Sequence, residues 1–97
     1  MAEIRINMRN IDRQVNRLYD AADDLKREMQ NIQSAKSQLS SYWQGNSAAV
    51  FAKKLDEQYQ ALYNQYRKIT SVASTIKNTA ERIKRQEEAI LKATQKL

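Results

Sequence analysis

The sequence predicts an all-α fold, an antiparallel hairpin of two long helices, and three observations carry that prediction. The chain has no proline and a single glycine among 97 residues. Apolar residues recur in alternating steps of three and four on both sides of that glycine. The periodicity breaks once, over Ser40–Asn46. Glycine and proline are the main interrupters of regular structure, so a chain nearly free of both makes few turns. Two periodic halves with one short break give two helices lying antiparallel.

The first helix is expected over about residues 8–40. Ile11, Val15, Leu18, Ala22, Leu25, Met29, Ile32, Lys36 and Leu39 fall on one stripe, and only Lys36 is polar. Asn7 suits the N-cap, and Asp12 suits the positive end of the helix dipole. The turn is expected over 41–46. The second helix follows over about 47–95, with Asn46 or Ser47 as its cap. Its stripe runs Ala52, Leu55, Tyr59, Leu62, Tyr66, Ile69, Ala73, Ile76, Ala80, Ile83, Glu87, Ile90, Thr94 and Leu97, with Glu87 and Thr94 the polar exceptions.

Residues 1–97 thus read as a single helical-hairpin domain. Its hairpin or dimer core is expected from Val15, Leu18, Leu25, Met29 and Ile32 on the first helix. The second helix supplies Phe51, Leu55, Leu62, Ile69 and Ile76. Helices of this length reach about 50–75 Å at ~1.5 Å per residue. One pair that long buries a small fraction of its surface. Met8, Tyr19, Tyr63 and Val72 add apolar surface beside the seam, so a second hairpin is expected to cover them, giving a four-helix-bundle dimer.

Composition excludes most chemistry. With no histidine and no cysteine, the chain lacks an imidazole base, a thiolate nucleophile and the favoured zinc ligands. One glycine cannot build a phosphate-cradling loop. Ser34, Ser37, Ser40, Ser41 and Ser47 have no base at a catalytic spacing. Tyr59, Tyr63 and Tyr66 read as a packing stripe with hydroxyls at its rim. No enzyme activity, metal, cofactor or small-molecule ligand is expected.

The formal charge is +6. Residues 1–17 carry four basic and two acidic groups, and residues 81–97 carry five and three, so the chain ends supply most of the excess. Arg5, Arg9, Arg13 and Arg17 recur every four residues and are expected beside Arg82, Arg85, Lys92 and Lys96. This basic end is either a solvated face or a docking surface for an acidic partner. An alternative reading follows: a cytosolic coiled-coil module that binds nucleic acid through the basic terminal end. Interleaved Glu3, Ile6, Met8 and Ile11, and heptads continuing past a Trp-Gly break, argue against a basic-zipper layout. Nucleic acid is therefore not the expected partner.

No run of 18 apolar residues exists, so no transmembrane helix is expected. The stretch Met1–Asn7 has no apolar signal core. If exported, the chain is expected to leave without a cleaved signal peptide and to be cytoplasmic before export.

The break itself reads Trp43-Gln44-Gly45. Gly45 can adopt positive φ, which suits a C-terminal cap on the first helix. Trp43 can plug the open end of the hairpin. A purely structural role accounts for both residues. Small Ser47, Ala48 and Ala49 precede Phe51, and the start runs Ile4-Arg-Ile-Asn-Met-Arg-Asn-Ile11. A central Trp-x-Gly in a helical chain of this length, with that lead and those following residues, resembles the WXG100 family of ESAT-6-like proteins, and the resemblance covers the whole chain.

The resemblance implies a non-enzymatic substrate of a type VII secretion system of Gram-positive bacteria, leaving the cell folded. Implied partners are a second copy or a related WXG100-like protein, the secretion ATPase, and a larger effector such as an LXG-type toxin. It implies an export-recognition role for Trp43 and Gly45, near a C-terminal signal on the partner subunit. The common signal, tyrosine then an acid four residues on, is missing after the second helix, since no tyrosine follows Tyr66. Tyr19 and Asp23 have that spacing but sit in the first helix. A looser form of the signal resembles Ile83, Glu87 and Ile90, with Thr94 in place of its last apolar residue. A solvated helix end explains the same residues. The missing tyrosine also fits a chain that depends on a partner for recognition.

Overall fold

The structure, a computed structural model, describes residues 6–96. Ile4, Arg5 and Leu97, which figured in the sequence reading, lie outside the described residues. Two helices account for nearly all of the rest: α1 over Met8–Tyr42 and α2 over Asn46–Gln95. They fold back on each other as a rod of 79 × 18 × 16 Å. At ~1.5 Å per residue a helix of α2's length spans about 75 Å, so α2 sets the long axis.

Asn7 starts α1. Its side-chain oxygen accepts the backbone N–H of Asn10 at 3.0 Å, satisfying one of the free amides of the first turn. The first turn of α1 carries no acidic residue. Asp12, assigned above to the helix dipole, accepts a hydrogen bond from Lys77 of α2 instead. It sits one turn too deep to meet the free N–H groups, and an opposed ammonium is the stronger attraction.

The bend is tighter than the sequence suggested. Residues 41, 42 and 46 are helical, leaving Trp43, Gln44 and Gly45 as the connection. Trp43 is extended at φ −136°, ψ 119° and ends α1, its N–H donating to the Leu39 carbonyl at 2.9 Å. Gly45 does not cap α1. At φ 107°, ψ −174° it is the N-cap of α2, and its carbonyl accepts from Ala49 N–H at 3.1 Å. Asn46 is the first residue of α2, and no side chain caps that helix. The reason is conformational. A chain reversing in three residues needs one residue in the positive-φ extended region, which essentially only glycine enters.

The core is thin and stops short of the tip. Its buried apolar residues are Val15, Ala22 and Met29 of α1 and Ala73 and Ala80 of α2. Antiparallel pairing sets the first helix's early turns against the second helix's later ones, so the five run from Ala80 near the open base to Met29 at mid-hairpin, beside Tyr59, Tyr63 and Tyr66. No residue between Met29 and Ala73 is buried. Of the other expected core residues, Leu18, Leu25, Ile32, Leu55, Leu62, Ile69 and Ile76 are half-buried, and Phe51 is exposed. The accessible surface is 8036 Å², against roughly 5,700 Å² for a compact protein of 11.3 kDa. The radius of gyration is 22.4 Å, where a globular domain of this length has roughly 12.5 Å.

Candidate functional site

Heptad spacing gives the hairpin two long edges, and they differ in chemistry. On one edge Tyr59, Tyr63 and Tyr66 of α2 line a groove with Lys26, Met29 and Gln33 of α1. Asp12 lies two heptads before Lys26, and Lys77 two heptads after Tyr63, so both share this edge. Lys77 bridges the helices by donating to Asp12 and also lies 3.8 Å from Glu81. The hydrogen bond to Asp12 is the main reason the Lys77 pKa is raised from its ordinary 10.5. The Asp12 and Glu81 charges add to that, against partial desolvation. Lys36, the polar break in the first stripe, pairs with Asp56 across the hairpin at 2.7 Å. Polar contacts bridge this edge at two levels, Lys77–Asp12 and Lys36–Asp56.

The opposite edge carries an aliphatic row flanked by polar side chains. Leu25 of α1 and Ile69 of α2 line one open groove with Ala21, bordered by Asp24, Arg27, Glu28, Asn31 and Gln65. Seven-residue steps put Leu18 in line with Leu25, and Leu62, Ile76, Ile83 and Ile90 in line with Ile69. Val72, three residues from Ile69, is 46% exposed. No cross-hairpin ion pair lies on this edge among the described residues. Burying such a row is worth ~25 cal/mol per Å², and the hairpin alone leaves it open.

The two edges meet at the tip. Trp43 and Phe51 rings stand 5.5 Å apart at a 40° tilt, an aromatic pair joining the end of α1 to the start of α2. Both rings remain partly exposed. A cleft of about 350 Å³ opens beside them, lined by Leu39, Trp43, Ala48, Ala52 and Leu55. The small residues after the turn keep it open. Trp43 therefore props the tip without filling it. Val50, on the far side of Phe51, and Tyr42 are also exposed. The sequence reading passed over Tyr42. Its only signal was its place beside the break, where a helix's last turn projects past the partner helix.

At the base, α2 runs on past the start of α1. Ile83 is 37% and Ile90 65% exposed there. Glu87 between them is not a solvated carboxylate. Both of its oxygens accept the backbone N–H of Ile6, at 3.1 and 3.2 Å. Thr94 returns its hydroxyl to the Ile90 carbonyl at 2.9 Å. Trp43 and Gly45 thus stand at one end of the rod, and Ile83, Glu87 and Ile90 at the other. Arg9, Arg13 and Arg17 share the basal end with Arg82, Arg85, Lys92 and Lys96. They form no ion pair with another described residue.

Comparison with known proteins bears on what these surfaces belong to. No curated relative and no solved structure matches the chain. A family model described as WXG100, proteins of 100 residues with WXG, matches residues 3–88. That span takes in α1, the Trp43-Gln44-Gly45 turn and α2 as far as Glu88, next to the carboxylate that holds Ile6. The chain belongs to the WXG100 family.

Proposed function

We propose that this protein is a non-enzymatic adaptor exported by a type VII secretion system, travelling as a pair of hairpins joined along their aliphatic edges. The family consists of small helical proteins associated with type VII secretion, and its members pair with one another. The observation that carries the reading for this chain is the burial pattern. No residue from Gln30 to Val72 is buried, although apolar heptads run through the whole stretch. A row of leucines and isoleucines without a core of its own is the half-interface of a larger bundle. The partner is a second copy or a related WXG100-like chain, and an LXG-type toxin with a helical N-terminal region presents the same kind of face.

In this reading the Trp43 tip and the basal end are the two halves of an export-recognition surface. Two antiparallel hairpins bring the tip of one chain beside the base of the other. The open cleft at Trp43 and Gly45 then stands beside the partner's counterpart of Ile83, Glu87 and Ile90, and the secretion ATPase reads the composite. In this reading the protein is cytoplasmic until it is recognised. Deleting the gene for the secretion ATPase in the native bacterium tests this. The protein should vanish from the culture medium and accumulate in cells. Unchanged export rejects the reading.

A further inference from the structure

We propose that the Ile6 backbone N–H is a latch on Glu87, occupying the acidic position of the basal motif until a partner displaces it. This deepens the export reading above and rests on it. The Ile6 N–H donates to Glu87 Oε1 at 3.1 Å and Oε2 at 3.2 Å, across 81 residues of sequence. The next residue, Asn7, is fixed to α1 through its bond to Asn10 at 3.0 Å. Two adjacent residues are therefore anchored to two different helices, and Ile6 is held against α2 at the level of Glu87. Ile6 and Glu87 are both half-buried, while Gln86 and Glu88 on either side are exposed.

The arrangement splits the motif. Its apolar members, Ile83 and Ile90, are open to a partner. Its acidic member already holds a donor with both oxygens. A backbone N–H held by a carboxylate is a charge-assisted bond, about twice as strong as a neutral one. A partner that reads Glu87 with a guanidinium or a backbone N–H must break it first. Recognition is then sequential: the isoleucines engage, Ile6 lifts away, and the carboxylate becomes available. On an otherwise apolar stripe, Glu87 is out of place. The latch accounts for it, since a carboxylate there is costly unless partnered.

Ile6→Pro tests the latch directly, because proline has no N–H to donate. The probe is the purified cytosolic ATPase portion of the host's type VII secretion motor. It is titrated with the full-length chain, carried with its pairing partner, and helix content is checked by circular dichroism. Ile6→Pro should bind about tenfold more tightly than the wild type, the scale of one lost charged hydrogen bond. Glu87→Ala should bind more weakly than wild type, and adding it to Ile6→Pro should erase the gain. Equal affinity of wild type and Ile6→Pro overturns the latch while leaving the export reading standing. A gain that survives Glu87→Ala also overturns it, since Ile6 would then act by other contacts. No binding by any form rejects the export reading and the latch with it.

Discussion

Gly45 is the residue on which the bend depends. Its φ of 107° with ψ of −174° lies in the region that essentially only glycine occupies. A Cβ built there meets nothing within 4 Å, so the requirement is backbone strain and not crowding. Gly45→Ala should cost about 1–3 kcal/mol, read as a lower denaturation midpoint with an unchanged m-value. An unaltered midpoint would mean the turn relaxes freely. Trp43 makes a different prediction. Its ring touches Phe51 but seals no core, so Trp43→Ala should leave helix content nearly intact while weakening partner binding or export. A large loss of ellipticity would return Trp43 to a purely structural role. Lys77 supplies the pH dependence. Its pKa is raised by Asp12, so its contribution is full below 10.5 and is lost as pH climbs through the higher folded value. The pair is partly exposed, so the effect is small. The melting temperatures of wild type and Lys77→Met should differ at neutral pH and converge in strongly alkaline solution. A gap that persists there would show that Lys77 acts by packing alone.

At the scale of the elements, the two helices are unequal along their length. The buried residues, Val15, Ala22 and Met29 of α1 and Ala73 and Ala80 of α2, run from the base to mid-hairpin, all at or below 7% exposure. The tip half holds its helices together with half-buried side chains, the Lys36–Asp56 pair and the Trp43–Phe51 contact. Local opening is easiest where buried apolar contacts are fewest. In the unpaired chain, amide exchange should be slowest in the turns around Val15–Met29 and Ala73–Ala80 and faster from Ile32 to Leu62. Pairing should slow the second group most, and uniform protection along both helices would contradict this gradient. The sequence foretold both helices because their period is unbroken, and it foretold Asn7 as the cap because its side chain acts locally. It misplaced Gly45, since one glycine between two helices can close the first or open the second, and the sign of φ does not decide between them. It could not divide the apolar stripe either. Leu62 and Ala73 obey the same heptad rule, yet one is half-open and the other buried. Periodicity records that a residue faces something, not whether that is its own chain or another.

Over the whole molecule, exposed surface dominates. The hairpin exposes 8036 Å², an excess of about 2,300 Å² over a compact chain of its mass, which is on the scale that obligate partners bury. Part of that excess is the rod shape, and the aliphatic edge is the part that association can remove. Arg9, Arg13, Arg17, Arg82, Arg85, Lys92 and Lys96 gather at the base, while Asp24, Arg27 and Glu28 flank the aliphatic row. The polar edge and the Glu87–Ile6 bond were not legible beforehand, because both join residues far apart in sequence whose meeting depends on the register of the two helices. The central claim is that this hairpin is one half of a bundle. The most direct measurement is the light-scattering mass of the protein purified from its native host at tens of micromolar. The account predicts about twice the chain mass, or a one-to-one complex with a second helical protein. A lone species at the 11.3 kDa of a single chain would contradict it.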